Sequence, residues 1–246
     1  SYYLILFIST EQMRPKIIAT QQPYYMPWPG YFYKIYLSDI FVILDSVQFP
    51  RGASFVNRNR IKVPDKKFLW LTVPVNKKGK GLQKISNVTI NNEHNWGRKH
   101  LLSLIHAYKK APYFDDHIGF LENVYKKEWQ RIVDFDIALL QYIMKELGID
   151  VEIRLSSELG VQGEGTQLLV DVCEKLGGGV YILSVSGRKY INKEMFKNKG
   201  IEINYYNFAP PVYPQLWGDF VPNLSAFDIL FNCGVKSMDI ITRQRA

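Results

Sequence analysis

Short apolar runs separated by Gly, Pro and polar clusters recur along this chain, and their spacing predicts alternating strands and helices. Residues 16–60 carry the clearest pattern. The run Lys16–Thr20 predicts a buried strand. Gln21–Pro29, with three prolines, predicts a loop. Gly30 opens a helical pattern over Tyr31–Leu37, Ser38-Asp39 ends it, and Ile40–Leu44 predicts a second buried strand. Strand, tight loop, helix and strand in about 30 residues make a βαβ unit. The end of its first strand and the start of its helix lie at the carboxyl edge of a parallel sheet, where open α/β sheets bind ligands. The unpaired N–H groups of the helix start favour an anion there.

Further along, Phe68–Val75 and Ile85–Ile90 predict strands, with an exposed Gly/Lys loop between them. Asn95–Tyr108 has helical period. His117–Leu147 predicts a long helical stretch broken near Asp134–Asp136 and capped by Gly148. A strand over Asp150–Leu155, a helix from Gly165 to Leu176, a strand at Val180–Leu183, a helix near Lys193–Asn198 and a strand at Ile201–Asn204 follow. A short helix over Leu224–Cys233 closes the pattern. This alternation predicts an α/β fold with a mainly parallel sheet. Residues 13–246 read as a single α/β domain, with 64–147 an inserted helical and hairpin subdomain. Residues 1–12 read as an upstream extension or a cloning remnant.

Charge changes the picture in one region. The formal net charge is +8, but residues 51–110 hold 14 Lys/Arg against two acids, Asp65 and Glu93. A local excess of this size suits an anionic partner such as a nucleotide, a phosphorylated sugar lipid, nucleic acid or a membrane surface. No apolar run approaches the ~20 residues of a membrane helix. The two cysteines, Cys173 and Cys233, form neither a metal-binding pair by spacing nor a disulfide framework, which fits a reducing cytoplasm. The residues do not identify a cofactor.

Polar residues gathered after the two strand ends mark a candidate site. Asp45 and Gln48 follow the second strand, with Arg51, Asn57 and Arg58 close behind. Asp45 and His100 are the candidates for proton transfer. Ser184, Ser186, Gly187 and Arg188, after a late strand, suit a phosphate: glycine allows close backbone approach, hydroxyls donate, and arginine supplies a fork. Each has a plainer alternative: His100 as a histidine packed on Trp96, and Asp45 as a loop cap.

The segments IIATQQPYYMPWPGYFYKI, DIFVILDSVQF and NRNRI resemble the WbqC-like protein family. NW…KH at 95–100, Ser156-Ser157, CEKLGG, SVSGRKYI and F…LSAFDILFNCG agree along residues 14–234. The family is associated with O-antigen and other surface polysaccharides, so the resemblance implies acyl or aminoacyl transfer onto an amino sugar. The opening segment is also similar to the HxGH nucleotidylyltransferases, which implies a nucleotidylyltransferase-like, Rossmann-like fold. Aligned on Gly30, Trp28 and Tyr31 occupy the histidine positions, which disfavours nucleotidylyl transfer.

The combined expectation is a cytoplasmic transferase acting on a nucleotide or nucleotide-linked amino sugar, with an acyl or aminoacyl donor. Gln22, Tyr25, Trp28, Gly30 and Tyr31 would line its pocket. Arg51, Arg58 and the Ser184–Arg188 loop would hold phosphates. The rivals are a non-catalytic nucleotide- or RNA-binding module on a degenerate nucleotidylyltransferase fold, and a scaffold within an assembly.

Overall fold

The apolar runs on either side of the proline-rich loop are parallel neighbours. In the computed structural model, which describes residues 14–243, β1 (Lys16–Gln21) pairs with β2 (Ile40–Ile43), Ile18 opposite Ile40 and Gln21 opposite Ile43. Helix α1 (Pro29–Tyr36) joins them, with Pro29 at its first turn and Gly30 next. The proposed extension at residues 1–12 lies outside the described residues.

After β2 the chain leaves the sheet for more than a hundred residues. It forms an antiparallel hairpin, β3 (Arg58–Val63) and β4 (Lys66–Thr72), then helices α2 (Trp96–Tyr108), α3 (Ile118–Lys126) and α4 (Ile132–Glu146). It returns as β5 (Glu152–Leu155), parallel to β2. Helix α5 (Gly165–Leu176), β6 (Gly178–Ser184), the short α6 (Lys193–Lys197) and β7 (Glu202–Tyr206) follow. Helices α7 (Ala226–Cys233) and α8 (Ser237–Thr242) end the described chain.

The sheet order is β5-β2-β1-β6-β7, all parallel, a Rossmann-like arrangement. The chain steps outward from β1 to β2 and β5 on one side, then crosses to β6 and β7 on the other. Its inner strands β1, β2 and β6 carry near-continuous apolar runs because both their faces are covered. Ala19, Phe41, Ile43 and Ile182 pack with α1, α4 and α7 on one face. Ile18, Ile40, Val42, Tyr181 and Leu183 pack with α5 and Phe196 of α6 on the other.

Three local expectations are corrected. Ile85–Ile90 is a 3-10 turn, Ile85–Asn87, with isolated bridges from Thr89 and Ile90. The N–H groups of Ile85 and Ser86 are taken by the carbonyls of Val47 and Asp45, so no ladder forms. The stretch 117–147 breaks at residues 127–131, not at Asp134–Asp136. Asp134 lies in the first turn of α4, where a carboxylate favours the helix start, and it pairs with Arg131. Finally, Arg58, expected beside Asn57 among the polar site residues that follow the second strand, opens a strand whose partner runs through Trp70.

The hairpin is fixed to the loop after β1 by one buried side chain. Asn59, fully buried, donates through Nδ2 to the carbonyls of Met26 at 2.6 Å and Tyr25 at 3.3 Å. Met26 has φ +44°, a conformation a non-glycine residue holds only when its surroundings fix it. Asn59→Ala leaves these carbonyls unpaired in the interior. We expect a loss of about 1–3 kcal/mol in unfolding free energy, read from the urea midpoint; an unchanged midpoint would show that the anchor is dispensable.

Candidate functional site

The strand order reverses between β1 and β6, so the helices that follow them lie on opposite faces and leave a crevice at the strands' carboxyl ends. A cavity of 270 Å³ occupies it. Gln21, Tyr24, Trp28, Gly30, Tyr31 and Lys34 line it from the β1–α1 side; Ser184, Val185, Ser186, Tyr206, Asn207 and Phe208 line it from the ends of β6 and β7.

Gly30 is required here by space. A Cβ would lie 2.4 Å from the Trp28 ring and 2.8 Å from Phe208. The bare helix start lets the Trp28 and Phe208 rings meet edge to face, centroids 5.3 Å apart. Tyr31 donates its hydroxyl to the Gln22 carbonyl at 2.9 Å and packs beside Tyr24. Ser184 caps the 3-10 turn that follows β6, accepting from the Gly187 N–H at 3.3 Å, and its hydroxyl meets that of Ser186 at 3.1 Å.

Lys34 is the residue the sequence pattern did not single out. It is 6% exposed, and its ammonium donates to the Thr20 carbonyl at 2.7 Å and to Gln21 Oε1 at 3.2 Å. Among the described residues no carboxylate pairs with it. Burial lowers it from the ordinary 10.5 to about 8. One signal was available. Lys34 is the lone charge in PGYFYKIY and stands three residues after Tyr31, on the helix face that is buried.

The other expected residues divide. Trp28, Gly30, Tyr31, Ser184 and Ser186 meet at the cavity. Gly187 supports its rim through the bond to Ser184, while Arg188 lies in an adjoining groove with Ser186 and Lys189, its guanidinium 5.6 Å from the Tyr205 ring. Gln22 contributes its carbonyl to Tyr31 and is not in the lining. Arg51 lines a different cavity with Phe49, Lys77 and Gln83, because the chain after β2 turns along residues 83–85 and carries it away. Gln48 lines a third space of 650 Å³ between that wall and the start of α5. The expected grouping of Arg51 with Gln22 and Ser186 is therefore not what the fold brings together. Arg58 stacks on Trp70 in the hairpin, 3.8 Å from the ring centroid. Asn57 is buried and donates to the Val73 carbonyl at 2.9 Å.

A model of the WbqC-like protein family matches residues 22–240. The chain belongs to the WbqC-like protein family. It is 31% identical over 228 residues to an uncharacterized protein, Rv1507c, of Mycobacterium tuberculosis, covering 92% of this chain and 97% of that one. No solved structure gives a significant match.

In this WbqC-like protein the two residues expected to move protons sit outside the cavity lining. Asp45, 1% exposed, accepts from the Ser156 hydroxyl at 3.0 Å and from the Ser157 N–H and hydroxyl at 2.9 and 2.6 Å. This network ties the carboxyl ends of β2 and β5 together. His100 is buried among Trp96, Tyr125 and Phe135, with Nδ1 2.8 Å from the Tyr25 hydroxyl, which also meets that of Tyr125. Tyr25 is thus held in the core and does not line the cavity. Among the described residues no cluster of His, Cys, Asp or Glu could hold a metal, and no helix is long and apolar enough to cross a membrane.

Burial lowers the His100 imidazole from the ordinary 6.5 to about 4. The folded chain therefore resists a proton that the unfolded chain accepts below pH 6.5. The stability this gives is complete above pH 6.5 and is lost as the pH falls towards 4, at about 1.4 kcal/mol per pH unit and roughly 3 kcal/mol in all. Urea titrations of wild type and His100→Gln at pH 7, 5.5 and 4.5 check it. The variant should be less stable at pH 7, with the gap narrowing as the pH falls. A constant gap would contradict the neutral buried imidazole.

Proposed function

We propose that this WbqC-like protein is a cytoplasmic transferase that holds a nucleotide-linked amino sugar at the crevice between β1 and β6. It would pass an acyl or aminoacyl group to the sugar amine, as a step in making a surface polysaccharide such as an O-antigen. One observation carries the reading. Lys34 places a buried ammonium, without a carboxylate partner among the described residues, in a cavity that also offers two serine hydroxyls and the start of α1. A cation so placed favours an anion, and hydroxyls and helix N–H groups are its usual companions around phosphate. The aromatic rings of Trp28, Tyr24 and Phe208 suit a flat or sugar ring beside that phosphate. The family's association with surface polysaccharides supports the sugar and the transfer.

In such a transfer the amine attacks the donor's acyl carbonyl, a C–N bond forms, and the donor's leaving group departs as the amine loses a proton. The second reading is a non-catalytic nucleotide-binding module. It is favoured by the positions of Asp45 and His100, neither of which lines the cavity. A thermal-shift and mass-spectrometric screen of nucleotides, nucleotide sugars and acyl donors separates the two. A transferase converts an amino-sugar nucleotide to a heavier amide, whereas a module only binds.

Lys34 makes the anion site testable by pH. Its cation is present below about pH 8 and is lost above it. Pyrophosphate affinity should hold from pH 6.5 to 7.5 and then fall, by up to tenfold per pH unit, as the ammonium deprotonates. Lys34→Met should abolish binding at pH 7 while keeping the fold. Isothermal titration calorimetry reads both, and undiminished binding by the variant would remove the anion-site assignment.

A further inference from the structure

The switch-point cavity is too small for the ligand proposed for it. At 270 Å³ it falls below the ~300–1,000 Å³ of clefts that enclose drug-sized molecules. Lys34 and the serines leave room for phosphates and an adjoining ring, so the rest of a nucleotide must lie outside.

What adjoins the cavity is an aromatic path. Tyr24, in its lining, has its ring centroid 5.4 Å from that of Phe55, and Phe55 lies 6.0 Å from Trp70 of β4. The strand pattern explains why these rings face outward. In the hairpin, Asn59, Ile61, Leu69 and Leu71 share the inner face, and Arg58, Arg60, Phe68 and Trp70 share the outer one. The solvent face of an antiparallel pair is ordinarily polar. Here it carries aromatic rings with guanidinium groups laid across them, and Phe55 beside it is 41% exposed.

The two arginines are not equivalent. Arg60 is occupied, donating to the carbonyls of Pro222 and Asn223. Arg58 lies over Trp70, its guanidinium carbon 3.8 Å from the ring centroid, and its guanidinium N–H groups meet no acceptor among the described residues. A stacked guanidinium keeps its in-plane donors available for a ligand. The platform is also fixed to the cavity. The Tyr25 N–H donates to the Phe55 carbonyl at 2.9 Å, and Asn59 binds the Tyr25 and Met26 carbonyls.

We propose that this outward hairpin face is the base-binding half of the site. A nucleoside diphosphate would place its phosphates beside Lys34 and run its base out past Tyr24 to stack on Phe55, with the acceptors on the base edge meeting the Arg58 fork. The inference rests on the anion site of the proposed function and adds to it where the nucleoside lies and which side chains recognise it. Stacking on exposed aromatics tolerates any base, so the platform selects nucleotides as a class and leaves the choice of base to Arg58.

The test compares UDP, ADP and inorganic pyrophosphate by isothermal titration calorimetry with wild type, Phe55→Ala, Arg58→Lys and Lys34→Met at pH 7. Phe55 is at the surface, so its removal spares the fold; circular dichroism checks each variant. We expect both nucleotides to bind wild type more tightly than pyrophosphate. Phe55→Ala should weaken the nucleotides about tenfold and leave pyrophosphate unchanged, in line with the loss of one stacked base. Arg58→Lys keeps the charge but loses the fork, and should also weaken nucleotides selectively. If Phe55→Ala leaves the nucleotides untouched, or weakens pyrophosphate equally, the platform is wrong while the Lys34 site stands. If wild type binds none of the three, the proposed function falls, and this inference with it.

Discussion

An ammonium buried at the end of a strand governs the arrangement of the sheet's carboxyl edge. Withdrawing such a charge from water costs several kcal/mol unless its donors are used. Lys34 uses two of its three, on the Thr20 carbonyl and on Gln21 Oε1. Those bonds draw α1 against the last residues of β1 and fix the height of the helix start above the sheet. The loop between them is then short and crowded, which is why its prolines, the bare Gly30 and the positive φ of Met26 occur together. The reversal of strand order beyond β1 leaves β6 and β7 to supply the opposite wall.

The long excursion between β2 and β5 is held to this edge by buried polar anchors. Asn59 fixes the hairpin, and the Asp45–Ser156–Ser157 network closes the sheet ends where the excursion departs and returns. A third anchor joins its far side to the C-terminal region. Asp228, on α7, accepts hydroxyl bonds from Tyr108 at 2.7 Å and Tyr213 at 2.9 Å, and burial raises its carboxyl to about 6. Tyr108 also receives the Lys62 N–H at 3.0 Å. Apolar packing alone would let these loops slide, since it is non-directional. Each polar anchor has one satisfied geometry, so together they specify where the hairpin stands relative to the cavity.

The sheet was legible because its signal is local. Buried parallel strands are continuous apolar runs, and the Gly, Pro and Ser residues that separate them act on their own neighbours. The rim of the cavity was legible for the same reason: Trp28, Gly30, Tyr31, Ser184 and Ser186 all follow strand ends directly. Residues whose positions depend on distant partners were not legible. Asn57 and Asn59 look alike in NRNR, yet both are buried: pairing with β4 turns Asn59 inward, while Asn57, just before β3, donates to the Val73 carbonyl. The same pairing turns Arg58 and Arg60 outward. His100 sits near Trp96 as its helical spacing implies, yet the contact that decides its character, with Tyr25, spans 75 residues. Lys34 gives only a faint signal, because an isolated lysine in a short helix ordinarily reaches solvent.

Asp136 and Lys34 are both buried without an oppositely charged partner among the described residues, and their surroundings separate them. Asp136, 1% exposed, has neither carboxylate oxygen bonded among the described residues, and burial raises its carboxyl well above the ordinary value. A negative charge on it would in turn raise the cost of ionising Tyr25, Tyr31 and Tyr125. The group escapes the cost of a buried charge by holding its proton. Lys34 meets the same burial but is lowered only to about 8, so near neutral pH it remains a cation. The difference lies in what each side chain faces. Asp136 meets no donor among the described residues. Lys34 has two carbonyl-type acceptors and opens on a cavity. A sealed group has neutralisation as its remedy, whereas a group at a cavity wall can instead await an opposite charge from outside. This is why the lysine, and not the aspartate, points to a ligand.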